Sequence, residues 1–212
     1  MKKLEEELAR LENLWAYEKV LKNHGYCRIA GLDEAGRGPW AGPVVAGAVV
    51  LAEWRHLIGL DDSKKLTPLV RQRLCDSIQT SSLAWGIGVV SARVIDEINI
   101  LQAARQAMVR AVKVLEAQPD CLLIDGIISL DLSLPQVPLK GGDRLSASIA
   151  AASILAKVFR DRIMVALDRR FPQYRFFKNK GYGTPEHLQA LQKYGPCPWH
   201  RKSFRPVKAL LV

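Results

Sequence analysis

Three short apolar segments, at residues 28–32, 44–51 and 83–90, follow one another along the chain, with glycines and prolines after the first. Runs this short, rich in Val and Ile and bounded by turn residues, fit strands better than helices, and three in succession predict an antiparallel meander. Between the second and third, Thr67-Pro68 announces a helix, as an N-cap followed by proline at the first helical position. Beyond the meander, Val94, Ile98, Leu101, Met108, Val112 and Leu115 keep a helical period that only Pro119 stops, so one long amphipathic helix is expected. The segment Cys121-Leu122-Leu123-Ile124-Asp125-Gly126 then reads as a buried parallel strand. A short strand at 136–139 and a helix at 146–170 complete an α/β fold with a mixed five-stranded sheet flanked by helices.

Two further regions flank this layer. Residues 1–25 read as a single helix with Leu4, Leu8, Leu11 and Trp15 in a stripe, and nothing in them discloses a task. Residues 171–212 read as loop with one short helix begun by Thr184-Pro185. The expected division is an N-terminal helical extension at 1–26, a catalytic domain at 27–170 and a basic C-terminal substrate-binding region at 171–212 packed on it.

Charge separates the last part from the rest. Residues 1–156 carry 18 Lys and Arg against 18 Asp and Glu, whereas 157–212 carry 13 against 3, so the whole net charge of +10 belongs to the last quarter. Tyr174, Phe176, Phe177, Tyr182, Trp199 and Phe204 interleave with those cations. Cations for phosphates and rings for bases or sugars point to nucleic acid. The two longest apolar stretches, near 44–52 and 147–156, are too short to cross a bilayer, and the first residues are charged, so a soluble cytoplasmic protein is expected. Four scattered cysteines without a C-x-x-C pair fit reduced thiols.

Four acids stand at junctions between apolar runs and glycines: Asp33 and Glu34 after the first strand, Asp125 after the fourth, and Asp143 ahead of a helix. Any one alone is explained as a strand end or a helix cap. Together they suit phosphodiester cleavage, in which two divalent ions about 3.5–4 Å apart clamp the attacking water and the leaving oxygen. Carboxylates are the oxygen donors that hard cations prefer.

The motif Asp33-Glu34-Ala35-Gly36-Arg37-Gly38-Pro39, followed by Ala41-Gly42-Pro43-Val44-Val45, resembles the signature of the bacterial ribonuclease HII family. The resemblance continues in order through Asp62-Ser63-Lys64-Lys65-Leu66, Ile98-Asn99-Ile100-Leu101-Gln102-Ala103, Asp125-Gly126, Lys140-Gly141-Gly142-Asp143, the alanine-rich run from Ala150 to Lys157, Asn179-Lys180-Gly181-Tyr182-Gly183-Thr184 and His200-Arg201-Lys202-Ser203-Phe204. It spans about residues 27 to 206. It implies a ribonuclease H-like fold and an endonuclease that cuts the RNA strand of RNA/DNA hybrids and at ribonucleotides embedded in duplex DNA, leaving 5′-phosphate and 3′-hydroxyl ends. Asp33, Glu34, Asp125 and Asp143 would hold Mg²⁺ or Mn²⁺, with no histidine base required. The protein would act as a monomer and touch no membrane.

The same resemblance assigns substrate contacts. The Gly36-Arg37-Gly38 turn would meet the 2′-hydroxyl, the group that separates RNA from DNA, and glycines there permit the close approach this needs. Tyr182 would stack beside the cut, while Lys64, Lys180 and Arg201 would meet phosphates. Arg144, Trp40 and Trp199 depart from the family pattern, in which serine often follows the last acid and smaller or aliphatic residues occupy the other two positions. A DNA nuclease of the same fold would lack the 2′-hydroxyl sensor, the sister type HIII enzyme usually differs after its Asp-Glu pair, and a non-catalytic binding module would have lost an acid. All four acids are present.

Overall fold

The computed structural model describes residues 2–211. β1 (Ile29–Ala35), β2 (Val44–Leu51) and β3 (Ser82–Val90) form the antiparallel meander, and β4 (Cys121–Asp125) and β5 (Gln136–Leu139) extend it in parallel with β1. The sheet order is β3-β2-β1-β4-β5, a mixed five-stranded sheet. The C-terminal ends of β1, β3 and β4 therefore open on one edge, where open α/β sheets commonly bind ligands.

The helices cover both faces. α4 (Ala92–Lys113) packs on one, closing a core of Leu32, Val50, Leu122, Ile124 and Met108. α5 (Ala147–Arg170) lies on the other with α3 (Pro68–Ser81), burying Val49, Leu51, Leu74, Ile78, Ile154 and Leu155. The first three turns of α5 are buried nearly all round, which explains why this helix is rich in alanine rather than amphipathic. Its backbone seats directly on the sheet: a Cβ at Gly31 would lie 2.1 Å from the Ser148 carbonyl carbon, and one at Gly47 2.4 Å from the Ala152 oxygen. Glycine in the strand and alanine or serine in the helix are what permit that approach.

Caps match the local sequence. The hydroxyls of Thr67, Ser91, Ser146 and Thr184 accept from the backbone N–H three residues ahead and start α3, α4, α5 and α7 (Pro185–Tyr194). Two expectations need correction. The N-terminal segment is two helices, α1 (Lys2–Leu14) and α2 (Ala16–Asn23), broken at Trp15. It is no appendage, because Leu11, Leu14 and Trp15 belong to the core under α3 and α5. The helix over 92–113 is likewise interrupted, at Asn99 (φ 69°), whose side chain accepts from Leu101 and Gln102 N–H and so caps a fresh start. No Gly or Pro marks that break; an Asn that tolerates positive φ does so instead.

The tail is more helical than its composition suggests, with α6 (Phe176–Asn179), α7 and α8 (Arg205–Lys208) around Met164, Leu167, Tyr174, Phe176, Leu191 and Val207. The four cysteines are free thiols. Among the described residues no helix is long and apolar enough to cross a membrane.

Candidate active site

Register brings the first acids together. β1 pairs Leu32 with Ile124 of β4, so the next residues, Asp33 and Asp125, stand side by side at the ends of adjacent parallel strands. Alternation turns Leu32 and Ile124 toward α4 and leaves both acids on the α5 face. Glu34 follows at the strand end, and Asp143 enters from the Gly142–Arg144 turn that leads into α5. A cleft of about 430 Å³ runs past Asp33, Glu34 and Asp125 to the Gly36-Arg37-Gly38 turn, Lys64 and Tyr182.

Electrostatics mark Asp33, Glu34 and Asp143 as strained. Burial lifts Asp33 well above the usual carboxylate range, and the charges of Glu34 and Asp125 add to it. Burial raises Glu34 as well, against the pull of Arg37. Asp143 is raised by burial and then by the charges of Asp62 and Asp125. Each acid has a nearby donor: Asp33 Oδ1 accepts from Glu34 N–H at 2.7 Å, Asp125 Oδ1 accepts from Gly142 N–H at 2.7 Å, Glu34 pairs with Arg37 at 3.3 Å, and Asp143 stands 4.0 Å from Arg144. In this arrangement no three acidic, histidine or cysteine side chains among the described residues converge tightly enough to cage an ion. Oxygen donors that repel one another in a buried cleft are chemically suited to a divalent cation, which would reverse the cause of their raised pKa values.

Sequence reasoning assigned no role to several residues here. Ser153 of α5 lies beside Asp33 and shares a 2.8 Å hydrogen bond with Ser63, and Lys157 lines the same cleft while paired with Asp161 at 2.8 Å. A lone serine in a run of alanines and isoleucine was the available signal for the first. Asp62 acts on Asp143 through space, a proximity no spacing encodes.

Two buried arginines shape the loops beside the cleft. Arg201 is 0% exposed, and its guanidinium donates to the carbonyls of Gly36, Arg37, Gly42 and Pro43. Its place among phosphate contacts is therefore corrected: it holds the turn from beneath and does not face a substrate. Arg160 donates to Ala41, Pro43 and Lys180, tying the same turn to the tyrosine loop. Gly36 (φ 97°) is the glycine this packing demands, since a Cβ there would lie 2.0 Å from Arg160 Nε. Gly38 instead faces the Tyr182 ring, 3.8 Å from where its Cβ would be.

Tyr182 is 47% exposed, and its loop is fixed from behind. Cys197 N–H donates to His200 Nδ1 at 2.9 Å, so the neutral ring carries its proton on Nε2 and donates to His187 Nε2 at 2.9 Å. His187 must then donate from Nδ1 to the Tyr182 carbonyl at 2.8 Å. Burial and the facing His187 push His200 down to about 4, and burial lowers His187 too, which keeps the relay neutral. Lys64, Arg37, Lys178 and Lys202 are exposed around the cleft and tail. The Lys180 ammonium turns back onto the Phe177 carbonyl. Trp40 packs directly against Gly183 and, with Trp199, joins the tail cluster, so both tryptophans fill space rather than line the cleft.

The ribonuclease HII family profile matches residues 30–207. Ribonuclease HII of Geobacillus kaustophilus (strain HTA426) is 55% identical over 202 residues, covering 95% of this chain and 77% of that one. Ribonuclease HII of Moorella thermoacetica (strain ATCC 39073 / JCM 9320) is 55% identical over 199 residues, covering 94% and 97%. Among solved structures, the ribonuclease H2 of Pyrococcus horikoshii OT3 superposes with a TM-score of 0.74 at 27% identity over 87% of this chain and 97% of the other. Bst-RNase HIII, solved in complex with Mn²⁺, shares the fold with a TM-score of 0.66 at 19% identity over 87% and 69%. The ordered motifs, the mixed sheet and the acids at its edge thus meet in one conclusion: the chain belongs to the ribonuclease HII family of endoribonucleases.

Proposed function

We propose that this protein hydrolyses the RNA strand of RNA/DNA hybrids and cuts at ribonucleotides embedded in duplex DNA, leaving 5′-phosphate and 3′-hydroxyl ends. The observation that carries the reading is the side-by-side placement of Asp33 and Asp125 on a cleft that ends at the Gly36-Arg37-Gly38 turn and an exposed Tyr182. Asp33, Glu34, Asp125 and Asp143 would hold two divalent cations, Mg²⁺ or Mn²⁺, which when bound supply water activation and charge neutralisation at the leaving oxygen. The Mn²⁺ complex of Bst-RNase HIII, on the same fold, agrees with that choice of ion.

The chain's own residues do the rest. The Gly36-Arg37-Gly38 backbone, held rigid by Arg201 and Arg160, reads the 2′-hydroxyl, and Tyr182 stacks on the neighbouring sugar or base. Lys64 and Arg37 neutralise flanking phosphate. His187 and His200 spend both ring nitrogens on the relay, so neither offers a base to the cleft. End-labelled duplexes containing zero, one or four ribonucleotides, incubated with Mg²⁺, Mn²⁺ or EDTA, test the reading. Cleavage confined to the ribonucleotide-containing strands, abolished by EDTA and by Asp125→Asn in a folded protein, is expected. Cutting of the all-DNA duplex, or Asp125→Asn cleaving within a few-fold of the parent, would overturn it.

A further inference from the structure

The N-terminal helices carry a carboxylate that the chemistry above does not use. Glu18 of α2 is 0% exposed, although Leu11, Leu14 and Trp15 around it form an apolar stripe. Its Oε1 accepts from the Ser146 hydroxyl at 2.6 Å and from Ser148 N–H at 2.8 Å, both at the N-terminus of α5. A carboxylate is favoured there by the unpaired N–H groups and the helix dipole, yet burying it costs more than a neutral cap would. Ser146 already caps α5 with its own hydroxyl, which accepts from Ile149 N–H at 3.2 Å. Glu18, from another part of the chain, takes up the Ser148 N–H that the Ser146 hydroxyl leaves free, so it caps α5 and ties α2 to it at once.

What lies beyond Ser146 gives Glu18 a purpose. Ser146 N–H donates to Gly142 O at 2.8 Å, and Gly142 N–H donates to Asp125 Oδ1 at 2.7 Å. Hydrogen bonds therefore run without a gap from Glu18 through Ser146 and Gly142 to Asp125, and the turn they brace is the one that bears Asp143. On the opposite side, Ser148 and Ile149 rest against Gly31, two residues before Asp33. The start of α5 is wedged between the strand that carries Asp33 and the carboxylate of Glu18.

We propose that Glu18 is a positioning residue, through which the N-terminal helices hold the Gly142–Ser146 turn, and with it Asp143 and the Gly142 N–H bond to Asp125, in register with Asp33. This rests on the reading of those acids as metal ligands, and outer partners of ligands typically govern metal affinity or activity by about 10- to 100-fold. The test compares the parent with Glu18→Ala, Glu18→Gln and Leu11→Ala, the last a core truncation in the same helical pair that lowers the melting temperature while leaving both Glu18 hydrogen bonds to α5 in place.

Amide exchange at Gly142, followed by NMR without metal, reads the turn itself. Mn²⁺ binding, followed by the loss of free-ion EPR signal, reads the acids. In Glu18→Ala, Gly142 should exchange at least about tenfold faster and Mn²⁺ should bind about tenfold more weakly, with kcat falling and KM little changed. Glu18→Gln, whose amide oxygen can accept the same two bonds, should restore most of each. Leu11→Ala should match the loss in melting temperature and change neither. Unchanged Gly142 exchange in Glu18→Ala, or equal effects in Leu11→Ala, would overturn the proposal. So would faster exchange with parental Mn²⁺ affinity, provided Asp125→Asn does weaken Mn²⁺. If Asp125→Asn also bound Mn²⁺ as the parent does, faster Gly142 exchange would leave the Glu18 strut standing and refute the metal-ligand reading.

Discussion

Acidification from pH 7 to pH 4.5 should cost this fold on the order of 2 kcal/mol through His200 alone. The ring falls from an ordinary 6.5 to about 4 because burial and the facing His187 disfavour the imidazolium. A histidine depressed in this way takes up its proton in the unfolded chain first. Its contribution is therefore complete above pH 6.5 and drains away as pH falls from 6.5 toward 4. At about 1.4 kcal/mol per pH unit, and with the folded ring beginning to titrate near the lower end, the loss at pH 4.5 is on the order of 2 kcal/mol. The structural cause is definite: a second proton on His200 would have to sit at Nδ1, which faces Cys197 N–H. Glu18, Asp33, Glu34 and Asp143 work in the opposite sense, since their raised pKa values let the fold take up protons first and gain stability in acid. Comparing the parent with His200→Asn cancels that shared gain. Urea unfolding of both proteins between pH 7 and pH 4.5 should show the parent's advantage shrinking by about 2 kcal/mol. Parallel pH profiles would refute the neutral relay.

Tyr182→Ala should melt within about 0.5 kcal/mol of the parent, because the ring is half exposed, yet lose on the order of 1–3 kcal/mol in cleaving a single-ribonucleotide duplex; parental cleavage, or outright unfolding, would remove the ring from substrate recognition. Arg201→Met strands the carbonyls of Gly36, Arg37 and Gly42, Pro43 keeping its bond from Arg160, and should destabilise the protein by roughly 3 kcal/mol or more in chemical unfolding, whereas a surface phosphate ligand would cost almost nothing. Charge removal at Lys178 and Lys202, both exposed, should lower the salt dependence of duplex binding by about 0.9 in log–log slope for each phosphate no longer neutralised, and an unchanged slope would turn the basic tail away from nucleic acid.

The parts of this fold that were legible in the sequence are those that short-range physics encodes. Strand periodicity gave the meander and β4, and Thr67, Ser146 and Thr184 sat at helix starts because a side-chain oxygen must take up an orphaned N–H. The four acids stood out because charge at the end of an apolar run has few structural uses. Asn99 escaped notice, since its break arises from one residue's tolerance of positive φ rather than from a Gly or Pro.

Nothing in the sequence singles out Glu18. Its partner, Ser146, lies 128 residues away, and no local pattern names it. Arg201 looked like surface chemistry from composition, because a basic, aromatic segment has the same letters whether its cations face phosphate or backbone carbonyls. By itself the sequence determined the strands, the caps, the basic tail and the identity of the acids, all properties of residues and their near neighbours. The tertiary structure alone decided that Asp33 stands beside Asp125, that Arg201 faces inward and that the N-terminal helices reach the turn bearing Asp143, because strand register and burial depend on contacts between segments that the chain keeps far apart.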